Sequence, residues 1–322
     1  MKDFAGKIAV ITGGGTGMGR ELARRLVAEG CNVAMCDVST KAMAQTKSLC
    51  EADAPQGTRV TTHLADVSDE AQVLAFRDAV ARDQDTDKIH LLFNNAGIAG
   101  GGSVVNGSRQ DWDKTFNVCW GGVYFSTRAF LPMLIKASEG HIVNTSSVNG
   151  FWASLGPHVP HTAYSAAKFA VKGFTEALIA DLRVSAPHIK VSVVMPGHIG
   201  TEIVANSRKV LSGADSDALT GEELGQARER MAGFGMDASA MSDADIQKLV
   251  SEMSRRFHDD APMTASVAAS VILEGVKADK WRILVGDDAH HLDRIVRHAP
   301  EEAYEADFFQ RFAKEVDWKL GS

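Results

Sequence analysis

Lys7–Gly19 reads K-I-A-V-I-T-G-G-G-T-G-M-G and leads into an amphipathic segment that ends near Glu29. The apolar run Lys7–Thr12 has the character of a buried parallel strand. The glycines after it allow a close backbone approach, and the N-terminus of a following helix favours a pyrophosphate. Strand, glycine loop and helix in this order predict a dinucleotide-binding α/β unit, and a plain structural turn is the alternative.

An acidic residue ends the second predicted strand. Asn32–Cys36 is apolar, and Asp37 follows it 18 residues beyond Gly19, close to the interval of about 20 found in dinucleotide-binding folds. A carboxylate at this place can accept both ribose hydroxyls of NAD and would repel the 2′-phosphate of NADP. The alternative for Asp37 is a helix N-cap.

Two further strands are predicted, and both end in residues suited to a cofactor edge. Residues 59–64 are followed by Asp66, which could reach an adenine ring or could instead cap the helix that starts near Asp69. Residues 89–93 are followed by the sequence N-N-A-G at 94–97. Small residues after a strand let the backbone pass close to a cofactor.

Tyr164 and Lys168 stand four residues apart, which on a helix places them on one face. A nearby ammonium is expected to lower the pKa of a phenol, which ordinarily titrates near ~10. A phenol tuned in this way can exchange a proton with a substrate oxygen. The upstream hydroxyl of Ser147 could hold the same oxygen. An isolated pair of this kind is more often a solvated surface pair, so its interpretation depends on the rest of the chain.

The composition excludes several classes of protein. The chain has 322 residues, 45 % of them apolar and 23 % charged, as expected for a globular protein large enough for one α/β domain. The net charge of −7 argues against a nucleic-acid surface. The sequence shows no signal peptide and no run of ~18 apolar residues, and its four cysteines form no C-x-x-C pair. We therefore expect a cytoplasmic protein with reduced thiols and no membrane span.

Taken together, the motifs resemble the short-chain dehydrogenase/reductase family, in its shorter soluble branch. The resemblance covers about residues 5–202 and 262–286. The glycines fit the pattern T-G-x-x-x-G-x-G of this branch, whereas Thr16 breaks the pattern of the extended branch. The shared motifs are T-G-G-G-T-G-M-G (12–19), D-V (66–67), N-N-A-G (94–97), Asn117, Ser147, Y-S-A-A-K (164–168) and P-G-H-I-G-T (196–201).

The resemblance implies a role for each matching residue. Tyr164 would be the acid/base, and Lys168 would hold the nicotinamide ribose and lower the pKa of Tyr164. Ser147 would orient the reacting oxygen, and Asn117 would support a water-linked proton path. NAD would be the cofactor, held by residues that share positions in the family motifs: Gly13, Thr16, Gly17, Met18, Gly19, Asp37, Asp66, Val67, Asn95, Ala96, Gly97, Tyr164, Lys168, Pro196, Gly197, Ile199 and Thr201.

The serine departs from the family spacing. Ser147 precedes Tyr164 by 17 residues, whereas the family interval is about 13, so we expect about four extra residues within 156–162. Ser146 is the alternative, and Ser147 is preferred because it directly precedes the apolar Val148.

Two segments exceed the family core. Residues 203–262 are predicted to form an insertion over the substrate site, with helices at 221–231 and 242–257. Its methionines, with Ile98, Phe151, Trp152 and Leu155, suggest a bulky apolar substrate, and packing of the lid or an interface is the alternative. Residues 287–322 form an extension in which Tyr304, Phe308, Phe312 and Val316 make an apolar stripe, expected to dock on this subunit or on a neighbour.

The sequence therefore predicts a single doubly wound, Rossmann-type α/β domain with about seven mostly parallel strands and helices on both faces. The expected activity is NAD-dependent interconversion of a secondary alcohol and a ketone. A silent NAD-binding regulator and an epimerase or dehydratase that uses NAD transiently are the alternatives. The helices at 111–136 and 164–184 carry apolar residues on more than one face, which favours a homodimer or homotetramer. No metal site is expected, because His158, His161 and His198 lack partners at metal-ligand spacing.

Overall fold

A seven-stranded parallel sheet forms the centre of the protein, in the order β3-β2-β1-β4-β5-β6-β9, and β7 pairs with β8 in a separate two-stranded sheet. The computed structural model describes residues 1–156, 159–213, 218–233, 237–305 and 307–316. The prediction of a doubly wound sheet of about seven strands is confirmed. The strands are β1 Ile8–Thr12, β2 Asn32–Asp37, β3 Val60–Leu64, β4 Leu91–Asn94, β5 Gly140–Thr145, β6 Ile189–Pro196, β7 Ile199–Gly200, β8 Met263–Thr264 and β9 Arg282–Val285.

Helices cover both faces of the sheet, because its strands are apolar on both sides. On one face α1 packs against α10, where Leu22 and Leu273 are buried. On the other face α3, α5 and α6 bury Phe76 and Phe130. The helices are α1 Gly17–Ala28, α2 Thr40–Asp53, α3 Glu70–Asp83, α4 Arg109–Phe116, α5 Gly122–Ile135, α6 Thr162–Ser185, α7 Ile203–Ser212, α8 Gly221–Gly233, α9 Asp243–Asp259, α10 Ala265–Lys277, α11 Asp287–His298 and α12 Phe308–Val316.

A π-helical turn at Asn117–Gly121 joins α4 to α5 in one continuous helical stretch, as the predicted helix at 111–136 requires. In this turn the N–H of Gly122 bonds to the carbonyl of Asn117. Arg109–Ile135 is the one stretch in the described chain that is long and apolar enough to cross a bilayer, but its apolar window is 61 % buried in the protein. This burial matches its packing against β4, β5, α3 and α6.

The described residues of the insertion form three helices rather than the two predicted. The apolar patterns at 221–231 and 242–257 correspond to α8 and α9, whereas the preceding α7 was missed. Helices α8 and α9 pack on each other through Ala227, Met231 and Ile246. Met231 therefore belongs to the small core of the insertion itself, and Met253 is exposed. Met241 packs against the same small core and Met263 against the main core, so the described methionines do not support a bulky substrate; Met236 lies outside the described residues.

The C-terminal extension docks on its own subunit. Phe308 and Phe312 of α12 are buried against Trp152, with ring centroids 5.6 and 5.7 Å from it. The indole Nε1 of Trp152 donates to the carbonyl of Ala303 at 2.8 Å. The predicted stripe is correct for the two phenylalanines but not for Tyr304, which is 63 % exposed. Trp152 was expected near the substrate, and this expectation is corrected because the extension covers its ring.

Candidate active site

The predicted cofactor segments follow the strands at one edge of the sheet, since the strands are parallel and their carboxyl ends meet there. The hydroxyl of Thr12 accepts the backbone N–H groups of Asn95 at 3.0 Å and Ala96 at 3.1 Å. Gly13 has a φ of +68°, and a Cβ atom there would lie 2.8 Å from Ala96 Cα. A Cβ atom at Gly19 would lie 2.0 Å from the Gly13 carbonyl oxygen. Both positions therefore require glycine, and the loops after β1 and β4 form a backbone-lined cradle.

Asp37 lies against the glycine loop. Its Oδ2 accepts the N–H of Gly15 at 2.9 Å, and its Oδ1 accepts the N–H of Ser39 at 3.0 Å. The N-cap of α2 is Ser39, whose hydroxyl accepts the N–H of Ala42, so Asp37 does not cap this helix. Burial raises the pKa of Asp37, and the two backbone hydrogen bonds oppose that rise.

Asp66 forms an ion pair with Lys114 and accepts hydrogen bonds from the backbone N–H and the hydroxyl of Ser68. Burial acts to raise the pKa of Asp66, but the hydrogen bonds from Lys114 and Ser68 outweigh it and lower the pKa. The helix cap considered for Asp66 is instead Asp69, whose carboxylate accepts the N–H groups at the start of α3. Asp66 is thus a fixed carboxylate at the carboxyl edge of the sheet.

Tyr164 and Lys168 lie on one face of α6, as their spacing predicts. The Lys168 ammonium is 5.3 Å from the centre of the Tyr164 ring and donates to the carbonyl of Thr145 at 2.9 Å. Lys168 is buried and Tyr164 is partly buried. A Cβ atom added to Gly97 would lie 3.4 Å from the Lys168 nitrogen, so the N-N-A-G segment borders the pair.

The two adjacent serines have different surroundings. The hydroxyl of Ser146 donates to the backbone carbonyl of Lys168 at 2.8 Å, which fixes it to α6. Ser147 accepts the N–H of Asn149 at 3.1 Å, and its hydroxyl is close enough to the phenol of Tyr164 to act on the pKa of that group. The geometry therefore favours Ser147 over Ser146 as the hydroxyl beside the phenol.

The net pKa shift of Tyr164 differs from the expected lowering. Burial raises the pKa of the phenol, whereas the charge of Lys168 and the hydrogen bond to Ser147 lower it. Burial has the larger effect, so the pKa lies above its ordinary value of ~10. The sequence predicts that the neighbouring lysine lowers the pKa of Tyr164. It does not predict how deeply the phenol is buried, because the fold determines the burial.

Asn117 needs correction, because the structure does not bring it into this cluster. Its side chain is exposed, whereas Cys119 in the same π-helical turn is fully buried. Residues two apart on a helix face nearly opposite directions, so the two side chains cannot share the site. The Cys119 thiol donates to the carbonyl of Ile98 at 3.2 Å. The residue type favoured the asparagine, but the buried side chain of this turn is the cysteine.

A comparison with known proteins assigns the chain to a family. The model of the short chain dehydrogenase family matches residues 7–212, which spans the glycine loop, Ser147, Tyr164 and Lys168. The chain belongs to the short-chain dehydrogenase family.

Individual relatives share most of this dehydrogenase's length. It is 35 % identical to SadH of Mycobacterium tuberculosis over 297 residues, 92 % of each chain. It is 34 % identical to levodione reductase of Leifsonia aquatica over 209 residues, 65 % of this chain and 75 % of that protein. A short-chain dehydrogenase/reductase from Burkholderia phymatum, solved in complex with NAD, covers all of this chain and 99 % of its own, with a TM-score of 0.71 and 29 % identity. The alignments with SadH and with the Burkholderia protein thus extend beyond the residues that the family model matches.

The first helix of the insertion lies across the cofactor loops of the dehydrogenase. From α7, the Asn206 amide donates to the Thr16 hydroxyl at 3.0 Å, and the Ser207 hydroxyl accepts the N–H of Ala99 at 2.7 Å. Thr201, just before α7, faces the glycine loop, because a Cβ atom at Gly17 would lie 3.2 Å from its methyl carbon. Helix α7, which the sequence pattern did not predict, thus brings the insertion into contact with the glycine loop.

Several residues expected at the cofactor contribute to packing. Met18 is partly buried against the core on the α1 face. Val67 is buried, and a Cβ atom at Gly122 would lie 2.6 Å from its side chain. Ile199 is likewise buried in β7. For these residues any contact with a cofactor would come from the backbone or from one edge of the side chain.

Histidines near the site show no metal-binding arrangement. His161 lies 4.6 Å from the Tyr164 ring, centroid to centroid, and burial lowers its pKa to about 4, so it is neutral at pH 7. His198 bonds through Nε2 to the carbonyl of Phe257 at 2.7 Å. His158 lies outside the described residues. Within the described ranges no group of three or more His, Cys, Asp or Glu side chains could hold a metal ion.

Proposed function

We propose that this dehydrogenase interconverts a secondary alcohol and a ketone with NAD, and that Tyr164 is the acid/base. The observation that carries the proposal is the convergence of the Ser147 hydroxyl, the Tyr164 phenol and the Lys168 ammonium beside a glycine cradle. In alcohol oxidation the Tyr164 phenolate takes the hydroxyl proton. Ser147 donates a hydrogen bond to the substrate oxygen as negative charge develops there. Lys168 stabilises the phenolate through its charge.

The cradle fits a dinucleotide. Positions 13 and 19 cannot carry a Cβ atom without a clash, so backbone rather than side chains lines the loop, as a pyrophosphate requires. The ribose and adenine ends would meet Asp37 and Asp66, and the nicotinamide end would meet residues 196–201. When bound, NAD supplies the hydride acceptor. The protein supplies the position of the alcohol and the path of its proton.

Replacing Asp37 with alanine is expected to shift cofactor preference towards NADP. The carboxylate that would repel a 2′-phosphate is removed, and the partly buried guanidinium of Arg20, which interacts electrostatically with Asp37, remains close by. We expect the ratio of kcat/KM for NAD to that for NADP to fall about tenfold or more, since each tenfold change is about 1.4 kcal/mol.

Asp66→Asn serves as the control for this change, because Asp66 lies at the same edge but pairs with Lys114. It should affect the two cofactors equally. An unchanged NAD/NADP ratio in Asp37→Ala would mean that Asp37 only holds the glycine loop.

An apolar substrate is the finer part of the proposal. Trp152 and the described methionines no longer support a bulky one, Phe151 packs beside Arg282, and Ile98 is buried in the core, so the partly buried Leu155 remains of the apolar residues expected near the substrate. We propose a secondary alcohol with apolar substituents, in keeping with a relative named levodione reductase. NADH formation should be measured across secondary alcohols from small aliphatic to aryl and steroid-like ones. Binding of NADH without turnover of any substrate would favour the silent regulator.

Exposed aromatic residues on the helical pair α5 and α6 support an oligomer. Trp120, Tyr124 and Phe174 form a connected ring cluster, with centroids 5.3 to 6.3 Å apart. Tyr124 is 38 % exposed, and Phe169 on α6 is 42 % exposed. A contiguous apolar surface of this kind is typical of an interface. We propose a homodimer or homotetramer, and a solution mass equal to the 34.5 kDa monomer would contradict it.

A further inference from the structure

Asp288 carries a buried carboxylate that the proposed chemistry does not use. It lies in the first turn of α11, in the C-terminal extension, just after β9, and is 6 % exposed. Its Oδ2 accepts the backbone N–H of His198 at 2.7 Å, and its Oδ1 accepts the N–H of Ala289 at 2.9 Å. Burial raises the pKa of Asp288 above its ordinary value. The two hydrogen bonds act in the opposite direction but do not cancel the rise. Thus the first turn of the extension holds the backbone of the segment 196–201.

Two glycines make the space for this carboxylate. A Cβ atom at Gly197 would lie 2.2 Å from Oδ2 of Asp288, and one at Gly286 would lie 2.2 Å from Oδ1. Gly286 also has a φ of +108°, which other residues rarely adopt. The backbone on both sides therefore fits closely around the Asp288 side chain.

The same segment is held from a second side by the insertion. The ring of His198 bonds through Nε2 to the carbonyl of Phe257, near the end of α9. Because a carbonyl accepts, this nitrogen carries the proton. His198 thus links the segment 196–201 to α9 through its side chain and to α11 through its backbone N–H. Both elements lie outside the portion of the chain that the family model matches.

A buried carboxylate is costly unless its hydrogen-bonding capacity is used. In the described part of the chain, the hydrogen bonds to the carboxylate of Asp288 come from backbone N–H groups, and one of these belongs to the segment that borders the proposed nicotinamide site. A carboxylate accepts more strongly than a neutral amide, so it fixes the position of that backbone closely.

We propose that Asp288 is a positioning residue that sets the Pro196–Thr201 backbone for the nicotinamide end of the cofactor. The inference rests on the proposed NAD-dependent function. It gives the C-terminal extension a role in cofactor binding, through Asp288 and without direct contact with the cofactor. The adenosine end of the cofactor would lie across the sheet, at Asp37 and Asp66. The weaker binding caused by changes at Asp288 should therefore be confined to the nicotinamide half of the dinucleotide.

Asp288→Asn tests this role, with Asp287→Asn as the matched control. Asp287 is the preceding residue in the same helical turn and is exposed. Affinities for NADH and for ADP-ribose, which lacks the nicotinamide, are measured by titration calorimetry on the full chain. A hydrogen bond to a charged group changes an equilibrium by roughly tenfold to a hundredfold. We expect NADH to bind about tenfold more weakly to Asp288→Asn, ADP-ribose to bind unchanged, and Asp287→Asn to match the wild type.

Asp288→Ala, which removes the acceptor altogether, should enlarge the loss for NADH and again spare ADP-ribose. Equal weakening of both ligands, or unchanged NADH binding in folded Asp288→Asn, would overturn the positioning role. Failure of the wild type to bind NADH would instead refute the proposed function. The ratio of the two affinities thus separates positioning of the nicotinamide end from general destabilisation.

Discussion

Tyr164→Phe is expected to reduce kcat for alcohol oxidation by about 10²–10⁴-fold, the range that general acid–base groups contribute. The substitution removes one hydroxyl and keeps the ring against Lys168 and His161, so NADH affinity should stay at the wild-type value. The hydroxyl carries the proton in the proposed mechanism, and Ser147 alone cannot replace it, because a serine hydroxyl is a far weaker base than a phenolate.

Steady-state NADH formation with the best alcohol of the panel provides the measurement, together with NADH titration. Tyr124→Phe is the matched control, because it makes the same chemical change at a partly exposed ring on α5. It should leave kcat unchanged. Substantial residual turnover in Tyr164→Phe would refute the acid/base role.

The pH dependence follows from the surroundings of the phenol. Burial raises the pKa of Tyr164, and alcohol oxidation needs its deprotonated form. The wild-type rate of oxidation should therefore rise with pH across the neutral range, and ketone reduction, which needs the protonated form, should be favoured at lower pH. In Tyr164→Phe this rise should disappear from the residual rate.

Local patterns predicted the parallel sheet well. The parallel topology pairs the apolar strand Ile8–Thr12 with β2. It thereby brings the carboxylate of Asp37 against the N–H of Gly15 in the glycine loop. For the same reason the four-residue spacing of Tyr164 and Lys168 predicted their common face on α6. These features depend on short-range geometry and on one topological rule, and both can be read from a single sequence.

Other features depend on contacts between segments far apart in the chain. Cys119 rather than Asn117 is the buried residue because a π-helical turn sets which side chain faces inward. Asp288 meets His198 across 90 residues of sequence, and Trp152 meets Ala303 across 151. Helix α7 contacts Thr16 and Ala99 through hydrogen bonds across 190 and 108 residues of sequence, and such contacts leave no local pattern in the sequence.

Trp152→Ala is expected to lower the free energy of unfolding by about 3–5 kcal/mol, the range for removing a large buried aromatic side chain. Trp152 is 2 % exposed and packs against Phe308 and Phe312. Its loss also leaves the carbonyl of Ala303 without the indole donor. The change therefore opens a cavity at the joint between the extension and the turn that follows Ser147.

Chemical denaturation measures this loss, with Trp281→Ala as the matched control. Trp281 is 46 % exposed, and its removal should cost much less, about 1 kcal/mol or below. Equal effects of the two substitutions would mean that the extension does not pack on Trp152 in solution. Because the turn at 148–150 follows Ser147 directly and touches α11, loosening the extension should also lower kcat in Trp152→Ala before the protein unfolds. A stability loss accompanied by an unchanged kcat would show that the extension stabilises the fold without holding the Ser147 turn.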